Sequence, residues 1–278
     1  MRFWKMNGAG NDFIILNDWD GQYPISALSE LARTVCERRL SLGADGLMVV
    51  TRPQGDGDFR MLFFNSDGSP GEMCGNGARC ICRYGYENGL TGERQRVETT
   101  AGPVTGERLD AETYRIRLND PGVIRLDCPV MVDGVTYDCS YVELGSPGIP
   151  HAVVPMKNLR EADEGRLLAL GRAIRRHDVF PKGANVNFYE LVGEDRIFLR
   201  TYERGVEDFT YACGTGTGST ALVLHLKGLT GTCILADMRG GTLKIELAEG
   251  TGGKPGLWLT GPTNVVAKGE LTDQNIKL

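Results

Sequence analysis

Two short segments of the sequence each place a cysteine directly before a Gly-x-Gly turn. They are MCGNGARC, with Cys74, and ACGTGTGS, with Cys213, and each leads into a run of residues typical of a helix. A thiol at a helix N-terminus lies near the positive end of the helix dipole and near unpaired backbone N–H groups, which stabilise a thiolate. Glycines lack a Cβ, so their N–H groups can approach a carboxylate closely. Each segment therefore predicts an acid or base beside an anion-binding site.

A pair of such thiols is suited to inverting a carbon centre. One group removes a proton from one face of the carbon, and the other delivers a proton to the opposite face. General acid–base catalysis works best when the pKa lies near the working pH, and a helix N-terminus can bring a cysteine there. The same N–H groups can hold an α-carboxylate as charge develops. The residues favour a two-base racemase or epimerase. They leave open a non-catalytic binder of an amino acid or carboxylate, which would need the glycines but not the thiols.

The two cysteine segments belong to a longer internal repeat. Cys74 and Cys213 lie 139 residues apart, and sliding the sequence along itself by this offset aligns a strand, a Gly-rich turn, a helix, a helix stop and a following strand. The matched pairs are NGLTG (88–92) with KGLTG (227–231), Gly102 with Gly241 and, at an offset of 138, GNDFII (10–15) with GIPHAV (148–153). The repeat predicts a duplicated architecture.

The pattern of elements predicts an α+β fold. DFRMLFF and RIFLRTY are rich in β-branched and aromatic residues and are typical of strands. The helices after the two cysteines are predicted to stop at Gly89 and Gly228. Apolar residues at helical spacing predict further helices over 26–39, with Ser26 as the N-cap, and over 164–177. We predict two similar halves: residues 1–119 with 265–278, carrying Cys74, and residues 120–264, carrying Cys213.

Composition and charge exclude several classes of protein. The 278 residues have a net charge of −5, which argues against a nucleic-acid-binding protein, since such binding depends on Lys and Arg. No apolar run approaches the roughly 20 residues of a membrane helix, and the N-terminus has no signal-peptide pattern. We expect a cytoplasmic protein whose eight cysteines are free thiols.

The other cysteines are expected to be packing residues. Cys36, Cys128, Cys139 and Cys233 are predicted to be buried small hydrophobes, and Cys80 and Cys82 to pack within the helix after Cys74. That cluster lacks the C-x₂-C pairs of zinc sites, so no metal is expected. Without C-x-x-C, a redox pair is only an open alternative. The Gly runs match neither common nucleotide-binding motif.

Several longer motifs resemble those of the diaminopimelate epimerases, which are amino-acid racemases that work without pyridoxal phosphate. The motifs are KMNGAGNDF, FFNSDGSPGEMCGNGAR, PHAVV, YERG and ACGTGT, and the resemblance runs nearly end to end. It implies two pseudo-symmetric domains, each a curled, mostly antiparallel sheet or barrel around a central helix, with the active site in the cleft between them. It also implies a homodimer that converts LL-2,6-diaminopimelate to meso-diaminopimelate without a cofactor, for lysine and peptidoglycan precursor synthesis.

The resemblance assigns roles to residues by position. It implies Cys74 and Cys213 as the acid/base pair, with His151 and Glu203 tuning the thiols. It implies that Arg204 holds the distal carboxylate of the substrate, and an arginine fork suits a bidentate contact. The implied substrate-binding residues are Asn11, Asn65, Gly75, Asn76, Asn185, Glu203, Arg204, Gly214 and Thr215.

One position departs from the family pattern. Many members have asparagine two residues before the histidine, in GNPH, where it contacts the distal end of the substrate. Here the position is Ile149, in GIPH, and an apolar side chain cannot make that hydrogen bond. The alternative is therefore the same two-cysteine chemistry on another amino acid, such as histidine or lanthionine.

Overall fold

The computed structural model describes residues 1–71, 73–250, 253, 255–272 and 276. The chain divides into two compact units. The first unit comprises Met1–Ile116 together with Gly261–Leu278, and the second comprises Arg117–Thr260.

In the first unit a mixed sheet accompanies two helices. Its elements are β1 (Arg2–Gly8), β2 (Asn11–Asn17), α1 (Ile25–Val35), β3 (Gly46–Thr51), β4 (Phe59–Asn65), β5 (Pro70–Gly71), α2 (Gly75–Glu87), β6 (Arg94–Thr99), β7 (Gly102–Arg108), β8 (Thr113–Arg117) and β20 (Asn264–Glu270). The strands follow the order β20-β1-β2-β3-β4-β6-β7-β8, and β5 also pairs with β4. All neighbouring strands are antiparallel except β2 with β3 and β4 with β6.

The second unit repeats this plan. Its elements are β9 (Pro121–Arg125), β10 (Val130–Val132), β11 (Val135–Tyr137), β12 (Ser140–Leu144), β13 (Ile149–Pro155), α3 (Glu164–Arg175), β14 (Asn185–Gly193), β15 (Arg196–Glu203), β16 (Asp208–Phe209), α4 (Gly214–Leu226), β17 (Cys233–Met238), β18 (Gly241–Glu249) and β19 (Pro255–Pro262). The strands follow the order β9-β12-β13-β14-β15-β17-β18-β19, and β16 also pairs with β15. The parallel neighbours are β13 with β14 and β15 with β17, and a separate hairpin of β10 and β11 precedes β12.

The predicted duplication and the α+β class are confirmed. Strand order and strand sense are the same in the two units. Helices α2 and α4 each follow a short strand, β5 or β16, that pairs with the fifth strand of its unit, β4 or β15. The bounds of β6 and β17 differ by the sequence offset of 139, and those of β2 and β13 differ by 138. The few identities found in the sequence therefore mark a repeat that extends over the whole sheet.

The two helices that begin after the cysteines form the centre of each unit. In α2 and in α4, ten of the thirteen residues are buried. Helix α2 packs against β1, β2 and β7, and α4 packs against β12, β13, β14 and β18. A helix buried on most of its circumference lies in a core. By contrast, α1 and α3 bury a single apolar stripe each.

The glycine stops of the central helices are confirmed. Gly89 and Gly228 follow the last turns of α2 and α4, and both have a φ of +68°. In this left-handed conformation a residue with a Cβ is disfavoured, whereas glycine is not.

The predicted bounds of the other two helices are wrong at their ends. Ser26 does not cap α1, which begins at Ile25 after Pro24 without a side-chain cap. Proline has the φ that a helix entry requires. Helix α1 ends at Val35 instead of residue 39, because the carbonyls of Val35 and Cys36 accept from Gly43 and Ala44 of the next loop.

Helix α3 ends two residues earlier than predicted, at Arg175, whose carbonyl accepts from the backbone N–H of Ala184. In both helices the last carbonyls bind a neighbouring segment, and sequence periodicity does not show this.

The eight cysteines are free thiols. As predicted, Cys80 and Cys82 are buried in α2, and Cys36, Cys128 and Cys139 are buried too. The prediction for Cys233 is wrong: it is exposed, because it begins β17 on the strand face that alternates toward solvent. Within the described part of the chain, no helix is long and apolar enough to cross a membrane.

Substitution of the two helix stops is expected to destabilise the protein equally. Gly89→Ala and Gly228→Ala should each lower the free energy of unfolding by about 1–2 kcal/mol, because the left-handed conformation is sterically unfavourable for a residue with a Cβ. Gly92→Ala is the control, since this glycine has no positive φ and a Cβ there meets no atom. Urea unfolding of the three variants measures the difference, and equal stability of all three would contradict the assignment.

Candidate active site

Cys213 lies at the N-terminus of the central helix of the second unit. It is the residue before α4, with extended backbone (φ −120°), and it is 8% exposed. The Gly216 N–H donates to Sγ at 3.4 Å, and Thr215 Oγ1 lies 3.6 Å from Sγ. Burial raises the pKa of the Cys213 thiol well above its ordinary value, the Glu203 carboxylate raises it further, and the Thr215 and Gly216 contacts lower it. The thiol form is therefore favoured, and the helix N-terminus alone does not produce a thiolate here.

Glu203 lies at the end of β15, in contact with this thiol. Thr210 Oγ1 donates to Glu203 Oε1 at 2.6 Å. Burial raises the pKa of the Glu203 carboxyl, and the hydrogen bonds to Thr210 and Cys213 oppose that shift. The structure thus brings together Glu203, Cys213, Thr215 and Gly214, the first residue of α4. Two buried acidic groups share one site, so the charge on one opposes ionisation of the other.

His151 and Asn185 lie on adjacent parallel strands of the same unit. They are register partners on β13 and β14, and both are buried. Burial lowers the pKa of the His151 imidazole to about 3, and the Arg204 guanidinium adds to this. The ring is therefore neutral near pH 7. Asn185 Oδ1 accepts from the Arg204 backbone N–H at 2.8 Å, and the exposed Arg204 side chain donates through Nη1 to the Lys182 carbonyl at 2.9 Å.

In the first unit, Cys74 occupies the equivalent position. It precedes α2 with nearly the same backbone angles as Cys213 (φ −121°, ψ 122°), and its side chain is partly exposed. Gly75 and Asn76, the first residues of α2, are buried. Asn76 Nδ2 donates to Asn11 Oδ1 at 2.8 Å. Two of the predicted substrate-binding amides are thus brought together beside the first thiol.

A charged residue lies at each end of this amide pair. Arg79 Nη2 donates to Asn76 Oδ1 at 2.8 Å, and Asn11 Nδ2 donates to Asp45 Oδ2 at 3.0 Å. A guanidinium can only donate and a carboxylate can only accept. The orientation of both amides is therefore determined, with each Oδ1 toward the arginine side and each Nδ2 toward the aspartate side.

Asn65 stands apart from this pair. It ends β4 with an exposed side chain, and its Nδ2 donates to Ser69 Oγ at 3.0 Å. Its position two strands from β2 in the order β2-β3-β4 agrees with a role separate from that pair.

Four residues of these clusters were not identified from the sequence: Arg79, Asp45, Thr210 and Asn187, whose Nδ2 lies 3.3 Å from His151 Nδ1. Arg79 is fully buried in α2, and burial lowers the pKa of its guanidinium to about 10. The repeat held a signal for it, because a charged side chain stands where the second half has Gly218. Asn187 has a signal of the same kind, because the equivalent residue of the first half is the apolar Met48. Thr210 has none, since isolated polar residues in loops are common.

The two halves share a backbone plan but carry different polar groups. The amide pair of the first half is missing from the second, and the polar residues on β13 and β14 have apolar equivalents in the first. The equivalent positions are Asn11 and Ile149, Asn76 and Thr215, Arg79 and Gly218, Phe13 and His151, and Met48 and Asn187. The two thiols therefore lie in unlike environments. No group of three or more His, Cys, Asp or Glu side chains in the described part of the chain could hold a metal ion.

The equivalent glycines Gly77 and Gly216 are expected to differ in their tolerance of alanine. A Cβ at Gly216 would overlap Asn187 Oδ1 and lie 3.2 Å from Cys213 Sγ, whereas a Cβ at Gly77 would overlap the flexible Cε of Met48. Gly216→Ala should cost about 1–3 kcal/mol of unfolding free energy, and Gly77→Ala clearly less. Thermal unfolding of the matched pair tests this, and a larger loss for Gly77→Ala would refute it.

Comparison with known proteins identifies related sequences over nearly the whole chain. The model of the family "Diaminopimelate epimerase" matches residues 3–119 and 145–266. The diaminopimelate epimerase of Aquifex aeolicus is 39% identical, with 99% of each chain covered. That of Archaeoglobus fulgidus is also 39% identical, with 90% of each chain covered.

Solved structures of more distant proteins share the fold. A probable proline racemase from Agrobacterium radiobacter K84 has a TM-score of 0.70 at 18% identity, covering 98% of this chain and 92% of its own. A phenazine biosynthesis protein of the PhzF family from Bacillus anthracis has a TM-score of 0.73 at 15% identity, covering 98% and 99%. With the family match and the close sequence relatives, these findings show that the chain belongs to the diaminopimelate epimerase family and that the protein is an isomerase, an epimerase.

Proposed function

We propose that the protein epimerises LL-2,6-diaminopimelate to meso-diaminopimelate by proton transfer between substrate and two cysteines, without a cofactor. The observation that supports this most is the presence of one cysteine at each of two equivalent helix starts, with nearly identical backbone angles. A thiol in each position is what a two-base reaction needs. An anion-binding protein would need only the backbone N–H groups.

The proton balance of the reaction gives each thiol a defined state. One thiolate takes the α-proton, and the electron pair left on the α-carbon is delocalised into the carboxylate. The other cysteine, as the thiol, then delivers its proton to the opposite face and becomes the thiolate. The reverse direction exchanges these roles. The raised pKa of Cys213 suits this cysteine to start as the proton donor in one direction.

Substrate binding follows from the same two helix starts. The first N–H groups of a helix have no intrahelical partner, so the backbone donors at Gly75, Asn76, Gly214 and Thr215 can hold the α-carboxylate as charge develops on it. Asn11 and Asn76 are oriented by their hydrogen bonds and can contact the α-amino and α-carboxylate groups.

For the distal end of the substrate we propose Arg204, together with Asn65 and Asn185. The Arg204 guanidinium is exposed and donates one hydrogen bond to Lys182, so further N–H groups can take a carboxylate in bidentate geometry. Asn185 holds the backbone of Arg204 in place through its Oδ1. His151 and Glu203 adjust the polarity around Cys213.

A second candidate is the same mechanism on another amino acid. It is favoured by Ile149, which begins β13 and is partly exposed where many family members have asparagine. An apolar residue there leaves one distal polar group without a partner, at a cost of about 1–3 kcal/mol in binding. Histidine and lanthionine are the alternative substrates considered. The resemblance also predicts a homodimer, a cytoplasmic location and a role in lysine and peptidoglycan precursor synthesis.

Hydrogen exchange in D₂O tests the reaction and the substrate together. Under reducing conditions, α-deuterium uptake is followed by NMR with LL-diaminopimelate, meso-diaminopimelate, L-histidine and lanthionine. Exchange into diaminopimelate far ahead of the others supports the proposal. Faster exchange into L-histidine or lanthionine than into diaminopimelate would favour the second candidate. No exchange into any of the four substrates would refute both candidate reactions.

Replacement of either thiol is expected to remove the activity. Cys74→Ser and Cys213→Ser should each lower kcat by at least about 100-fold, because a serine hydroxyl is too weak an acid to exchange the proton. Cys233→Ser is the control, since this cysteine is exposed on β17, and its kcat should be unchanged. Epimerisation rates of the three variants measure this, and near-normal turnover of either active-site variant would refute the two-base scheme.

Removal of the Glu203 charge is expected to acidify Cys213. The carboxylate raises the pKa of this thiol, so Glu203→Gln should lower it and move the alkylation profile of Cys213 to lower pH. The rate of carbamidomethylation of Cys213 against pH, followed by mass spectrometry, measures the shift. Asp208→Asn, on the neighbouring strand β16, should leave the profile unchanged. A shift to higher pH in Glu203→Gln would contradict the electrostatic argument.

A further inference from the structure

A short hairpin of the second unit has a buried cysteine on each side of its base. Strands β10 and β11 pair Val130 with Tyr137 and form a two-stranded sheet separate from the main sheet. Cys128 lies two residues before Val130, and Cys139 lies two residues after Tyr137. Side chains alternate between the two faces along a strand, so both cysteines are on the face of Val130 and Tyr137. The exposed Pro129 between the buried Cys128 and Val130 fits this alternation.

The backbone extends the pairing of the hairpin to the two cysteines. The Cys128 N–H donates to the Cys139 carbonyl at 2.7 Å, as in residues that lie directly opposite each other in an antiparallel pair. At the other end, Asp133 and Gly134 form the two-residue turn, with φ of +50° and +78°. Positive φ at both central residues is typical of a tight hairpin turn, which fixes the register. The two cysteines are therefore placed opposite each other by the backbone.

The expected spacing of the two cysteines is that of a disulfide. Residues opposite each other in a hydrogen-bonded antiparallel pair have Cα atoms about 5.5 Å apart, and disulfides join cysteines whose Cα atoms are roughly 4.4–6.8 Å apart. Cys128 and Cys139 also belong to the same hydrophobic cluster, with Val130 and Tyr141. Their sulfur atoms therefore lie on the same side of the hairpin, although both cysteines are free thiols in the structure.

Oxidation of this pair needs the hairpin to open. Cys128 is 6% exposed and Cys139 is 1% exposed. Burial raises the pKa of the Cys139 thiol to about 12, and the charge of a Cys128 thiolate would add to this. The thiolate is the reactive form, so Cys139 does not react while it is enclosed. A hairpin of three residue pairs is only marginally stable by itself, so local opening gives a small reagent access.

We propose that Cys128 and Cys139 are a disulfide site that fastens the base of this hairpin, with a low-molecular-weight disulfide such as oxidised glutathione as the oxidant. One cysteine, as the thiolate, attacks the reagent and releases one small thiol. The other cysteine then attacks the mixed disulfide and releases the second small thiol. Two protein thiols and one small disulfide thus give one protein disulfide and two small thiols. The site is independent of the proposed epimerase reaction.

Equilibration with glutathione tests the site on the full chain. The double variant Cys74→Ser/Cys213→Ser removes the two proposed active-site thiols. It is equilibrated with equal concentrations of reduced and oxidised glutathione, starting from reduced and from pre-oxidised protein, then blocked with N-ethylmaleimide in denaturant and mapped by mass spectrometry. Peptides joined through Cys128 and Cys139 are expected from both starting states. Free or singly glutathionylated cysteines at both positions would overturn the proposal.

Cys80 and Cys82 provide a control in the same sample. They are also buried, but they lie two residues apart in α2, and residues i and i+2 of a helix do not face each other. Both should remain free thiols. A link between Cys80 and Cys82 formed to the same extent as the link between Cys128 and Cys139 would show that register does not select the pair, and it would overturn the proposal.

Hydrogen exchange tests whether the link fastens the hairpin. A disulfide restricts the open state of the loop that it closes, so amide exchange in β10 and β11 should slow by about tenfold or more in the linked protein. Exchange in β6 and β7 of the first unit is the reference. Cys128→Ala and Cys139→Ala, treated with the same oxidant, should show no slowing. Unchanged exchange of the hairpin in the linked protein would overturn the fastening role.

Discussion

The burial of α2 and α4 on most of their circumference is the constraint on which the rest of the structure depends. Each helix is enclosed by strands of its own unit, so its axis and its starting residue are determined by packing on several sides. Close-packed interiors do not allow small displacements freely. The cysteine before each helix is therefore placed by the core of its unit. Glycine at the third position of each helix, Gly77 or Gly216, permits the close approach of Met48 on β3 or Asn187 on β14.

The same plan used twice produces two helix starts with unlike surroundings. Next to Cys74 the amides of Asn11 and Asn76 are aligned between two charged residues. The Arg79 guanidinium can only donate hydrogen bonds, and the Asp45 carboxylate can only accept them. The second unit instead has an acid, Glu203, in contact with Cys213, and a neutral imidazole, His151, buried on β13. The proposed two-base reaction needs two proton-transfer groups, but the rest of an asymmetric substrate needs different contacts on its two sides. Duplication followed by divergence satisfies both requirements.

Much of the fold was predictable because the repeat combines local signals. The glycine stops at Gly89 and Gly228 follow from the left-handed conformation that ends a helix, and the strands follow from β-branched and aromatic runs. The ends of α1 and α3 were not predictable, because their last carbonyls bind loop residues far along the chain. Cys213 shows the same limit for chemistry. Helix position alone suggests a lower pKa, but burial and Glu203 outweigh it.

By itself, the sequence determined the duplicated α+β plan, the family and the two thiols at helix starts, since residue type and spacing carry these directly. Only the tertiary structure decided the ionisation and orientation of the groups around those thiols. The burial of Arg79, the direction of the amides of Asn76 and Asn11, and the contact of His151 Nδ1 with Asn187 depend on contacts between distant segments. Desolvation and hydrogen-bond direction are properties of such contacts, and no stretch of sequence contains them. MCGNGARC and ACGTGTGS place the thiols; the strands packed around them determine what each thiol can do.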